Sequence, residues 1–150
     1  MDEGMTIPDV AVTIDDAVVS LTSLGAPLVV YFYPKDDTAG CTTEAKDFSA
    51  LADAFAAAGV TVVGISKDTP ASHAKFATKH DLSVRLGSDV DGVVCEAFGV
   101  WVEKNMYGRK YMGIERSTFL FGADGTLAKA WRKVRVPGHA EAVLAAAKAL

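Results

Sequence analysis

Two kinds of apolar spacing alternate along this chain. "PLVVYFYP" (27–34) is an unbroken apolar run closed by Pro34, and "VTVVGIS" (60–66) is another. Both predict strands buried on two faces. Between them, "CTTEAKDFSALADAFAAAG" (41–59) sets Ala45, Phe48, Ala52 and Phe55 at helical spacing and stops at Gly59. Strand, helix and strand in that order predict a right-handed crossover with the two strands parallel. Upstream, "AVTIDDAVVSL" (11–21) divides into two β-prone runs around Asp15-Asp16, a predicted hairpin. Downstream, "PASHAKFATKH" (70–80) predicts a helix with Pro70 in its first turn. "VRL" (84–86) predicts a short strand, and "DVDGVVCEAFGV" (89–100) a third helix. "STFLFGADGTLAKAWRKV" (117–134) carries a hairpin signal at Asp124-Gly125, and "HAEAVLAAAKAL" (139–150) a closing helix.

The expected class is therefore α/β: a mixed central sheet flanked by helices on both faces, with an N-terminal hairpin, as in the thioredoxin-like architecture. Fold alone gives no function. The 150 residues are expected to form one domain, 1–150, long enough to bury a core without disulfides or metals. A net charge of −4 argues against a nucleic-acid partner. The acidic opening "MDEGMTIPDV" carries no signal-peptide pattern, and no apolar run approaches the roughly 20 residues of a spanning helix. The expected setting is the cytoplasm, with no membrane partner.

Candidate chemistry centres on "YPKDDTAGCTTEAKDF" (33–48). Two cysteines in the whole chain make no disulfide framework. Cys41 follows Pro34, Asp36, Asp37, Thr38 and Gly40, all turn-formers, at the point where a helix is predicted to begin. Either it fills the helix start, or it is a reactive thiol. In a first turn, unpaired backbone N–H groups and the helix dipole favour an anion, and such sites lower thiol pKa values to between about 3.5 and 7.5. Gly40 lets backbone approach the sulfur, and Thr38 can turn its hydroxyl toward the same spot. Glu44 opposes a thiolate, so a cation has to come from elsewhere.

Other signals lead away from alternative chemistry. His73 and His80 stand seven apart on a predicted helix with no third ligand, so no metal is expected. "SDVDG" lacks the rest of a calcium loop, and neither phosphate-loop nor dinucleotide glycine patterns occur.

The residues around Cys41 match the peroxiredoxin pattern P-x-x-x-T-x-x-C through Pro34, Thr38 and Cys41. "FYPKDDTAGCTTEAKDF" more closely resembles the Q-type peroxiredoxins, or bacterioferritin comigratory proteins. The likeness continues through "KNMYGRKYMGIERSTFLF" (104–121) and "WRKVRVPGHAEAVL" (131–144). It implies a monomeric thiol peroxidase in cell redox homeostasis, acting on hydrogen peroxide and organic hydroperoxides. Cys41 would become a sulfenic acid, recycled by thioredoxin or a glutaredoxin/glutathione-type donor, without metal, haem or flavin. By resemblance, Thr38 is the hydrogen-bond partner of the peroxide and Pro34 shields the thiolate. Arg116 is the cation that holds thiolate and peroxide. Trp101, Lys104, Tyr107, Arg109, Lys110 and Tyr111 interleave bases and aromatics as single-strand binders do; within the resemblance they read as a loop framing the site.

The chain departs from the family in two places. Ala39 replaces the usual proline, which loosens the loop. Lys46 stands where many members carry a resolving cysteine, and the next predicted helix has none. Cys95 is the remaining candidate. Its neighbours Val94 and Phe98 mark a core position, so it either packs or resolves. A non-catalytic redox sensor on the same fold is the rival from another class. A disulfide reductase is disfavoured because Thr38 occupies the first cysteine's place in a C-x-x-C pair.

Overall fold

β3 (Leu28–Phe32) is buried at every position, as its unbroken apolar run requires, and it lies in the interior of a seven-stranded sheet. The computed structural model describes all of residues 1–150. The strands are β1 (Ala11–Ile14), β2 (Ala17–Ser20), β3, β4 (Thr61–Ser66), β5 (Arg85–Ser88), β8 (Ser117–Phe121) and β9 (Leu127–Trp131). Their spatial order is β2-β1-β5-β4-β3-β8-β9. β3 pairs in parallel with β4, and β4 with β5; every other pairing is antiparallel, so the sheet is mixed. Helices α1 (Ala39–Ala50) and α2 (Ala52–Ala57) connect β3 to β4. α3 (Pro70–His80), α4 (Val93–Ala97) and α5 (His139–Lys148) complete the set.

Alternation along β3 divides the core in two. Val29 and Tyr31, with Tyr33 just beyond the strand, pack with Cys41, Ala45 and Phe48 of α1, Phe55 of α2, Phe76 of α3 and Val143 of α5. Leu28, Val30 and Phe32 face the other way, toward Val94 and Cys95 of α4, Phe98 and Phe119. The two cysteines therefore lie on opposite faces of the central sheet.

The register also fixes the site. β3 runs antiparallel to β8 with Phe32 opposite Ser117. The segment leaving β3 and the residue entering β8 thus meet at one edge, where carboxyl ends of parallel strands commonly hold ligands.

Several elements differ from expectation. The helix expected over 41–59 breaks at Leu51, whose N–H is shared between the carbonyls of Asp47 (3.3 Å) and Phe48 (3.2 Å). Such sharing tightens the last turn. Just before the break, the Ser49 hydroxyl accepts the N–H groups of Ser83 and Val84, both at 3.1 Å, tying α1 to the approach to β5. The helix expected over 89–100 is only Val93–Ala97. Asp89 caps it by accepting from Val94 (3.0 Å) and Cys95 (2.8 Å), while Gly92 and Gly99, at φ 81° and 68°, bound it. The 84–86 strand begins and ends later, at Arg85–Ser88. The stretch read as a loop over 101–111 is mostly a separate hairpin, β6 (Trp101–Met106) and β7 (Arg109–Ile114). Its turn residues Tyr107 and Gly108 both have positive φ, the turn chemistry that tight hairpins need. No helix is long and apolar enough to cross a membrane.

Candidate active site

Thr38, extended at φ −92° and ψ 157°, is the N-cap of α1, so Cys41 is the third residue of the helix. The first intrahelical bond runs from Thr42 N–H to Thr38 O, at 2.9 Å. The amides ahead of it belong to the free helix end, with the positive end of the dipole beside the sulfur. Thr38 does not cap with its side chain; its hydroxyl donates to the Lys35 carbonyl at 2.9 Å. That bond closes the 35–38 turn and leaves the hydroxyl oxygen free to accept.

Cys41 is 2% exposed. Arg116 Nη2 reaches Sγ at 3.3 Å, and Nη1 reaches Glu44 Oε1 at 2.7 Å. One guanidinium therefore serves two acidic groups, one helical turn apart on α1, in its planar fork. The Arg116 carbonyl accepts from Val134 N–H at 2.9 Å, which anchors the base of the side chain. Gly40 has a different task from the one read in the sequence. A Cβ there would meet Arg116 Nη2 at 3.2 Å, so its bare α-carbon makes room for the guanidinium over the first turn. Pro34 is exposed on the segment that leaves β3. Lys104 of β6 adds positive charge beside the site; burial, then Arg116, lowers its pKa.

Glu44 is buried, and its Oε2 has no hydrogen-bond partner. Burial pushes its pKa from 4.5 up to about 7; Arg116 opposes the shift and Asp47 adds to it slightly. The folded chain therefore holds a proton here that the unfolded chain releases between pH 4.5 and about 7. This group's stabilisation is full below 4.5 and is lost as pH rises through about 7, a change of a few kcal/mol at most. His139, which shares a 2.8 Å bond with Thr118, has its pKa lowered to about 4 by burial and then by Arg116. Its contribution runs the other way: present above 6.5 and lost as pH falls through about 4. In Glu44→Gln, the fall in melting temperature between about pH 5 and pH 8 should flatten relative to the unsubstituted chain. Parallel melting profiles for the two proteins would contradict this assignment.

Cys95 is fully buried on α4, beside Val94 and Phe98, as its neighbours predicted. Burial, reinforced by the Asp89 carboxylate, pushes its thiol pKa far up. It is a packed thiol on the far side of the sheet.

Sequence reasoning missed a second polar cluster next to the site. Asp36 accepts from Tyr33 Oη (2.6 Å) and Ser72 Oγ (2.7 Å) and lies 2.7 Å from His73 Nδ1. Its N–H donates to Asp68 Oδ2 (2.9 Å), which also takes the Ser66 hydroxyl (2.6 Å). Asp36, Asp68 and His73 bring potential ligand atoms within 4.8 Å of one another, but these hydrogen bonds already occupy the facing oxygens. His73 and His80 turn to different carboxylates, Asp36 and Asp37. Only the position of Asp36 inside the motif signalled this cluster; apart from Tyr33, three residues earlier, its partners lie about thirty residues away or more.

The AhpC/TSA family model matches residues 4–130. A protein named peroxiredoxin Bcp from Xanthomonas campestris pv. campestris is 55% identical over 122 residues, covering 81% of this chain and 76% of that protein. A putative peroxiredoxin bcp from Coxiella burnetii is 44% identical over 146 residues, covering 96% of this chain and 97% of its own. A solved structure of the Xanthomonas campestris bacterioferritin comigratory protein, studied for alkyl peroxide reduction in a trapped intermediate/ligand complex, superposes with a TM-score of 0.91. It is 45% identical, and the match covers 99% of this chain and 98% of that one.

Proposed function

The chain belongs to the AhpC/TSA family, among its Bcp or Q-type peroxiredoxins, and from that membership we propose a thiol peroxidase in which Cys41 reduces hydrogen peroxide and organic hydroperoxides. The observation that carries the assignment is the 3.3 Å contact of Arg116 with the Cys41 sulfur at a helix N-terminus. The thiolate attacks one peroxide oxygen, an S–O bond forms and the O–O bond breaks. The leaving oxygen takes a proton and departs as water or alcohol, and Cys41 becomes a sulfenic acid. Negative charge moves from sulfur to the leaving oxygen, where fixed donors stabilise it best. Arg116 supplies that donor, Thr38 accepts the peroxide O–H, Pro34 shields the sulfur on its solvent side, and Gly40 makes room for the guanidinium. Glu44 orients Arg116 by holding its other nitrogen.

A donor thiol then attacks the sulfenic sulfur and water leaves. A second thiol releases the resulting mixed disulfide and restores Cys41. We assign recycling to thioredoxin or a glutaredoxin/glutathione-type donor, and the working unit to a single-domain cytoplasmic monomer in cell redox homeostasis. Cys95 packs. Its place across the sheet supports this, because a disulfide needs α-carbons within about 7 Å. Bridging to Cys41 would also pull α4 out of the core.

Turnover of many equivalents of peroxide with dithiothreitol as donor tests the reading and separates an enzyme from a sensor. Cys95→Ser should retain more than about half of the turnover. A single equivalent consumed by the unsubstituted chain, followed by arrest with donor still present, would sink the peroxidase reading. Loss of turnover in Cys95→Ser would make Cys95 a participant.

A further inference from the structure

We propose that Asp36 is a positioning residue for Cys41. Its carboxylate latches the Pro34–Thr38 segment onto α3 and so holds the closed, peroxide-reactive site, and its release opens the site to the thiol donor. This rests on the peroxidase reading above. Asp36 is 8% exposed and lies five residues before Cys41, joined to it through the N-cap Thr38. Its three side-chain partners come from the end of β3 and from α3, and its N–H is tied to the segment after β4 through Asp68. His73 extends the latch inward, with Nε2 3.1 Å from the Gly87 carbonyl of β5. Burial would raise the Asp36 pKa, but hydrogen bonds from His73, Tyr33 and Ser72 outweigh it and hold the carboxyl below its usual range. Asp37, the next residue, adds an outer clasp to Lys79 and His80, both at 2.7 Å. That clasp is solvent-exposed and correspondingly weak.

The closed site meets only one of the two demands of the cycle. A peroxide is small and needs the buried sulfur, the helix end and Arg116 held together. A donor must bring its own sulfur to about 2 Å from Sγ, which a buried residue whose sulfur lies against a guanidinium does not permit. Reduction therefore draws on a form in which the first turn of α1 has opened, and helix ends open at low cost. The latch holds the segment from which that turn starts. Weakening it shifts population from closed to open, with opposite consequences for the two half-reactions.

Asp36→Asn keeps the shape but places an amide where an oxygen accepted two donors. Ser72→Ala removes one donor from α3 and leaves the carboxylate in place. Stopped-flow measurement of oxidation by hydrogen peroxide, and separately of sulfenic acid reduction by dithiothreitol, reads the two halves. In Asp36→Asn, the open population should rise about tenfold, the scale of a lost charged hydrogen bond, so reduction should speed by up to that factor, while oxidation slows only by the fraction of closed form lost. Ser72→Ala should move both rates in the same directions by less, and it decides the matter if Asp36→Asn does not fold. Reduction at the unsubstituted rate, or both halves slowed by one common factor, would overturn the latch. An unsubstituted chain that does not react with peroxide would instead sink the peroxidase reading and the latch with it.

Discussion

Replacing Cys41 with serine should remove peroxide consumption while leaving the fold standing. Serine offers no anion at neutral pH, and the remaining groups at this site position and polarise without attacking. Removing a nucleophile on this scale costs about four orders of magnitude or more, so turnover should fall to the uncatalysed background. The fold has little reason to change. Cys41 is buried at the start of α1, and the serine hydroxyl stays within reach of the Arg116 guanidinium that now contacts sulfur. Circular dichroism and the melting temperature should match the unsubstituted chain. Peroxide turnover near the original rate in Cys41→Ser would refute the assignment.

The second large effect is expected at Arg116. Arg116→Lys conserves the charge but loses the fork that joins Cys41 Sγ at 3.3 Å to Glu44 Oε1 at 2.7 Å. A single ammonium has no fixed plane and cannot lie flat over Gly40 in the same way. Attack on peroxide should therefore slow by about 100-fold, the typical cost of one pre-positioned donor at developing negative charge. The comparison belongs on the pH-independent plateau of stopped-flow traces, where protonation no longer limits either protein. Equal plateau rates would place Arg116 outside the reacting centre.

Both residues were legible in the sequence, for different reasons. Cys41 stood out locally: turn-formers followed by a helical period put a thiol at a helix end, and the structure places it third in α1. Arg116 was legible only through family resemblance. Nothing in a lone arginine before "STFLF" says that antiparallel pairing of β3 with β8 brings it across 75 residues to the sulfur. The sheet's central strands were plain because strands buried on both faces read as unbroken apolar runs. The break at Leu51 was not, since alanine-rich spacing continues through it and the bonds from Ser83 and Val84 to Ser49 beside it are tertiary. The short span of α4 follows from Asp89 and Gly92 at its start and Gly99 at its end, against an apolar pattern that suggested a longer helix. The Asp36 cluster was illegible because, apart from Tyr33, its side-chain donors come from α3 through folding rather than from neighbours at a fixed spacing.

Intact mass of the protein after one equivalent of hydrogen peroxide, with peptide mapping and dimedone trapping, should show a gain of one oxygen, trapped on Cys41, with Cys95 still free for alkylation after unfolding. Rapid loss of two hydrogens through a Cys41–Cys95 disulfide, or a chain left unmodified at Cys41, would contradict it.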